Sequence, residues 1–510
     1  MNGWGTRRWM STVVVACTML AAVAAHAGRG TVTARAVDAG SIVGTARVDV
    51  SSAGVQAGGP SSQAVLSASG RYVAFVSGAA NLVPNDRNRL HDVFVRDLRT
   101  SITSRASISS RGVESDGASG KPSISADGGI VAFPSIATNL VPGDRNGFQD
   151  VFVRDRATGT TERVSVGDKG EANGASLASL VSADGKVVAY SSDASNLVPG
   201  DRNGALDVFV TRTADRRTTR VSVGDVGESW DRSEASSIDA DGRVVAFRSY
   251  APNLVFGDWN GLADVFVHDQ GSAWTERVNV STAGNAADGA TFRGMLSGDG
   301  RYVGFRSRAD NLVPGDTNEA LDVFVRDRVT GMTRRVSVAS DGTQADASGF
   351  DHGWRASFFM SRPFLSANGR YAAFTSRAPN LVEDDRNERA DVFVHDLWTG
   401  RTIRVSLTAD GTEADGDSFV AGISADGRVV AFTSLADNLV PGDTNGRRDV
   451  FVAWLRRDTT FGRSERVPHR GAAAGQGFEP WGRFHAQRFS RPPRSTAPAP
   501  RRSRIVTATG

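Results

Sequence analysis

The chain has 510 residues, with 59 Lys and Arg against 56 Asp and Glu, and a single cysteine, Cys17. One cysteine excludes a disulfide framework. The formal charge of +3 is uneven: residues 462–510 hold ten arginines and two glutamates, net +8, whereas residues 28–461 carry −7. The body therefore lacks the basic face that nucleic-acid binding requires.

In chain order, residues 1–27 read as an export signal. Arg7 and Arg8 precede an apolar run centred on Val13 to Ala25, and Ala25-His26-Ala27 forms a cleavage site. Removal of that segment takes Cys17 with it, so the expected mature protein is secreted or periplasmic, without thiol chemistry and without a membrane span. Residues 28–44 form a short linker. From residue 45 to 467 one pattern recurs seven times: a stem such as SADGRVVAFTS, then NLVPGDTNG, then DVFV, as from Ser424 to Val452. The leading aspartates of the middle piece are spaced 58, 57, 57, 58, 69 and 58 residues apart. Such a period marks a repeat architecture, in which copies share one core. The tail, 468–510, is rich in Arg, Pro, Ala and Gly and reads as disordered.

Within a copy, Arg428-Val429-Val430-Ala431-Phe432 and Asp449-Val450-Phe451-Val452 are short β-branched and aromatic runs between turn residues, which predicts strands. Their nearly continuous apolar character predicts sheets covered on both faces. Ala421 to Ser424 supplies a strand before the Ala425-Asp426-Gly427 turn, and Glu162 to Val166 typifies a fourth, more polar strand. Four antiparallel strands per copy and seven copies predict an all-β, seven-bladed β-propeller. The stem Ser-Ala-Asp-Gly-Arg-Val-Val-Ala-Phe followed by Asp-Val-Phe-Val resembles the repeats of TolB-type, WD-like propellers, although this blade is longer and has no Trp-Asp dipeptide. The resemblance implies the fold and a binding or scaffold role, but not membership of the Tol translocation system proper.

An Arg-Val-Ser-Val-like outer strand begins eight times, at Arg47, Arg105, Arg163, Arg220, Arg277, Arg335, Arg404 and Arg466, against seven sets of inner strands. The surplus predicts that the N-terminal strand from Arg47 completes the last blade. Arg466-Val467-Pro468 is the rival, weakened because proline removes a ladder donor.

Antiparallel order puts the loop after the second strand and the loop after the fourth on one face. The first carries Asp-x-Asn-x-x-x-Asp in every copy: Asp86, Asn88, Asp92; Asp144, Asn146, Asp150; Asp201, Asn203, Asp207; Asp258, Asn260, Asp264; Asp316, Asn318, Asp322; Asp385, Asn387, Asp391; and Asp443, Asn445, Asp449. The second carries Asp116, Asn173, Asp231, Asp288, Asp346 and Asp415. Such oxygen ligands suit Ca2+, and the same residue types fold loops as Asx turns. The 69-residue step holds an insertion near Phe350 to Met360, where His352, Trp354, Arg355 and Phe358 form a candidate binding loop. Trp230 and Trp259 lie in long loops of the same face. His268 and His395 stand where other copies have Arg96, Arg154 and Arg326, and read as solvated strand ends.

No Gly-x-Ser-x-Gly, His-Glu-x-x-His or phosphate-loop motif occurs. The expectation is a monomeric, non-catalytic binding or scaffold propeller for a protein or carbohydrate ligand, with calcium in its loops. The alternative is a polysaccharide-active lyase or hydrolase.

Overall fold

In the computed structural model, which describes residues 41–167, 170–224, 226–346 and 362–456, the predicted runs pair as the central strands of seven sheets. In the first blade Tyr72–Ser77 pairs antiparallel with Asp92–Asp97 along its whole length, with Ser61–Leu66 inside and Ile102–Arg105 outside. The other inner strands are Ser123–Ile124, Ser176–Val181, Ser233–Ile238, Met295–Leu296, Phe364–Leu365 and Ser418–Ile423. Among the described residues there is no helix.

The repeated phenylalanines set the register. Phe75 lies opposite Phe94 with ring centroids 5.8 Å apart, and both are fully buried. The pair recurs in each blade, with Tyr190 replacing one phenylalanine in the third and bonding Thr211 through its hydroxyl at 3.1 Å. The remaining apolar residues fill the seams between blades. Ala74, Val76 and Val93 of the first blade pack with Ile124, Val131 and Phe133 of the second. A comparable cluster fills every seam, including that of the seventh blade with the first, where Ala431, Val450 and Val452 meet Leu66, Val73 and Phe75. Both faces of each sheet are thereby covered, which is why the runs are apolar at successive positions.

The Ser-Ala-Asp-Gly turn has a physical cause in each of its parts. Ser125 Oγ donates to Asp127 at 2.6 Å and accepts the Ile130 amide at 2.9 Å. Gly128 sits at φ +73°, where a Cβ would come within 2.2 Å of the Tyr72 ring of the preceding blade.

The ring closes through the N-terminal strand. Ile42–Arg47 pairs antiparallel with Asp449–Leu455, Arg47 opposite Phe451, and the Val48 amide donates to Val450 O at 2.7 Å. Each innermost strand touches the next, and Ser418–Ile423 touches Ser61–Leu66. The signal and tail segments, Cys17, the rival strand at Arg466, and His352, Trp354, Arg355 and Phe358 lie outside the described residues.

Candidate functional site

Each Asp-x-Asn-x-x-x-Asp loop closes on an arginine of the outer strand. In the first blade Arg105 Nη1 lies 3.3 Å from Asp86, 3.3 Å from Asp92 and 3.0 Å from Glu114. Asn88 braces the set: its Nδ2 donates to Asp92 and to Ser115 O, both at 3.0 Å, and its Oδ1 accepts the Leu90 amide. Asp92 also accepts the hydroxyls of Ser107 and Ser115. The sequence separates Arg105 from Asp86 by a strand and a turn, and antiparallel pairing brings it back.

The clasp recurs around the ring. Asp144 and Asp150, with Asn146, hold Arg163 at 2.9 and 3.0 Å. Asp201 and Asp207, with Asn203, hold Arg220 at 3.1 and 3.4 Å. Asp258 and Asp264, with Asn260, hold Arg277 at 3.1 and 3.2 Å. Asp316 and Asp322 hold Arg335 at 2.7 and 3.5 Å, while Asn318 donates to Ala345 O. Asp385 and Asp391, with Asn387, hold Arg404 at 3.2 and 3.7 Å. Asp443 and Asp449, with Asn445, hold Arg47 of the closing strand at 3.3 Å each.

Burial raises the leading aspartates above the ordinary carboxylate range, to about 6 for Asp258, Asp316 and Asp385. Among the described residues no group of three or more His, Cys, Asp or Glu side chains is disposed to hold a metal ion. The cation at the centre of each loop in this structure is a guanidinium.

Two sequence expectations need correction, the place of Asp231 and the exposure of His268 and His395. Asp116, Asn173, Asp288, Asp346 and Asp415 each give their backbone amide to an asparagine of the neighbouring loop, as Asp116 does to Asn139 at 3.1 Å. In the fourth copy this position is Trp230, bonded to Asn253 at 3.0 Å, and Asp231 lies one residue beyond it. His268 and His395 are buried rather than solvated, because each ring bonds a threonine of the outer strand, Thr275 at 2.8 Å and Thr402 at 2.9 Å. Burial lowers the His268 pKa and takes that of His395 to about 4, so both rings are neutral at pH 7.

The fourth blade departs from the pattern in its exposed side chains. Phe256 replaces the proline of Pro84, Pro142, Pro199, Pro314 and Pro441, and Trp259 stands where other copies have arginine or threonine. Phe256 is 92% exposed, Trp259 80% and Trp230 69%. Phe256 and Trp259 meet edge to face at 5.8 Å, and the loop that carries them is tied to Trp230 through Asn253. Sequence reasoning singled out the two tryptophans and missed Phe256, whose signal is the lost proline.

Seven four-stranded blades in a ring fastened by the N-terminal strand define a β-propeller. Solved structures similar to this chain include TolB from Acinetobacter baumannii, with 16% identity over 67% of this chain and 64% of that one, TM-score 0.37. The β-propeller domain of the trilobed protease from Pyrococcus furiosus shares 11% identity over 78% of this chain and 95% of that one, TM-score 0.45. An acylaminoacyl peptidase from Pyrococcus horikoshii shares 11% over 78% of this chain and 51% of that one, TM-score 0.45. The chain thus spans about half of that peptidase. No family model and no curated protein matches it.

Proposed function

We propose that the chain is an exported, non-catalytic binding propeller that takes a protein or carbohydrate ligand on the loops of its fourth blade. The observation that carries this reading is the replacement of three repeat positions by exposed aromatics, Trp230, Phe256 and Trp259, on two linked loops. Exposed aromatic rings offer large contact area at small entropic cost and are enriched where proteins bind. The repeated carboxylates are already engaged. Those shifted upward sit in clasps with arginine or, for Asp239 and Asp49, accept a backbone amide in a tight turn and in the closing strand, so each has a structural task in its own blade.

The test is retention of the full chain on insoluble polysaccharides and, separately, variant-dependent capture of envelope proteins. Trp230→Ala and Trp259→Ala should each weaken retention about tenfold or more with unchanged unfolding temperature. Retention unaffected by both substitutions would sink the assignment. Release of reducing ends or unsaturated sugars in the same incubations would favour a hydrolase or lyase instead.

A further inference from the structure

Aligned on the aliphatic residue that ends each inner strand, the residue three places before it is Gln63, Lys121, Ala178, Ala235, Arg293, Arg362 and Val420 in the seven copies. Three are cations and none is an anion. The position lies at or just before the start of the innermost strand, hence at one level of the central channel, towards the face that carries the long loops. Gln63 and Ala178 adopt positive φ there, at 52° each, and the strand pairing shifts register at this point in several blades. The bulge re-aims these side chains away from the regular pleat.

A cavity of about 280 Å³ lies at this level, bounded by Gln63, Lys121, Arg362, Phe364, Phe419 and Arg448. The Lys121 side chain is solvent-exposed at this cavity. Among the described residues no carboxylate pairs with Lys121 or Arg362: Arg362 donates to Ser236 O and lies over the Phe364 ring, and Glu234 is taken by Arg293 at 2.7 Å and by Arg232. The cations feel one another. Arg362, then loss of water and then Arg293 lower the Lys121 pKa well below the ordinary lysine value, and burial with Arg293 takes Arg362 to about 10. Elsewhere in the molecule strand-end arginines have partners, as Arg71 has Asp97 at 2.7 Å. Uncompensated like charges at one level of a channel are costly unless something negative joins them. The lining also has an apolar side, Phe364 and Phe419, which bare inorganic ions do not need.

We propose that this end of the channel binds a small organic anion, its carboxylate or phosphate held between Lys121 and Arg362 with Arg293 beside them, and its body against Phe364 and Phe419. The site is separate from the aromatic loops and stands or falls independently of them.

The experiment is calorimetric titration and thermal unfolding of the full chain in low salt with two matched pairs of probes: acetate and benzoate, inorganic phosphate and phenyl phosphate. Sodium chloride at equal ionic strength is the reference. Saturable stabilisation beyond that of chloride is expected, with the ring-bearing member of each pair binding at least tenfold more tightly. Benzoate against phenyl phosphate then identifies the preferred head group. Lys121→Gln and Arg362→Gln should each weaken binding at least tenfold, and Lys121→Gln without anion should unfold no lower than the native chain. An exposed control, Lys186→Gln, should bind as the native chain does. Unfolding that follows ionic strength alone, or binding unchanged in Lys121→Gln, would overturn the proposal. Equal affinity within each pair would overturn the part given to the two phenylalanines. Should Arg362→Gln fail to fold, Lys121→Gln decides the matter, since among the described residues the Lys121 side chain has no hydrogen-bond or ion-pair partner.

Discussion

The closing seam contains a residue that ought to make it weaker with rising pH. Where other copies place Ser107, Ser165, Ser222, Ser337 or Ser406 beside the last aspartate of the clasp, the seventh has Asp49, fully buried. The serines accept a valine amide and donate to the aspartate; Ser165 does so at 3.0 and 2.6 Å. Asp49 accepts the Val450 amide at 3.0 Å, but can give Asp449 a hydrogen bond only when protonated. Burial, then repulsion by Asp449, raises its pKa well above the ordinary value. The fourth blade holds the neutral answer to the same problem: Asn279 accepts the Val265 amide at 3.0 Å and donates to Asp264.

Asp49→Asn is therefore expected to stabilise the ring. A hydrogen bond to a charged group contributes about 1.5–3 kcal/mol. With an unfolding entropy of roughly 2.1 cal/mol/K per residue over the body of the ring, that is about 2–3 °C in Tm if the ring melts as a unit. The pH dependence follows from the raised pKa. Below about pH 4 both states carry the proton and the native carboxyl costs nothing extra. As pH rises from there to the folded pKa, the unfolded chain binds fewer protons than the native one, so native stability falls, and above the folded pKa the loss is complete. The gain from Asp49→Asn should thus be small in acid and grow with pH, tracked by thermal unfolding from pH 4 to 9. Asp49→Asn that destabilises equally across the range, or that does nothing at pH 8, would refute the reasoning.

Asp239 is the same replacement in a tight turn, where other copies place Ser125 or Ser182. Burial raises its pKa to about 7, so Asp239→Ser should remove a loss of stability that develops as pH rises from the unfolded carboxylate pKa of about 4 to the folded pKa and is complete above it, measured by the same unfolding series. Arg105→Met leaves Asp86, Asp92 and Glu114 facing one another without a cation. A drop of about 3–5 kcal/mol in chemical unfolding is expected. Millimolar calcium added to the metal-stripped chain should leave the midpoint unchanged, because a guanidinium already stands between the carboxylates; a rise with several bound ions by mass spectrometry would make these loops metal sites. Phe305→Ala, which removes a ring stacked on Phe324 at 5.9 Å, should cost about 3–5 kcal/mol.

The strands, their number and the closing strand were legible because burial on both faces leaves an unbroken apolar run, and because eight outer strands against seven inner sets admit few solutions. The clasp was legible only in halves. Arg105 and its counterparts were visible as strand residues and Asp86, Asn88 and Asp92 as loop residues, but proximity across a strand pair is a property of the folded sheet. His268 and His395 misled because a strand-end position says nothing about the threonine that the outer strand sets beside each ring. Trp230 shows how a single-residue offset hides a substitution: matching on residue type found Asp231, whereas the hydrogen bond to Asn253 identifies the true equivalent. Lys121, Arg293 and Arg362 could have been found by aligning the short inner strands on their closing aliphatic residue, where three cations replace neutral residues.

The fastening of the ring also sets an order in time. Arg47 and Phe451, partners in the last sheet, are 404 residues apart in the chain. During synthesis at about 5–20 residues per second, the closing strand waits roughly 20–80 s for its partner to exist. Until then both it and the growing array present open strand edges. The closing strand is made before every other strand of the ring and docks after them, so it needs shielding until the seventh blade exists.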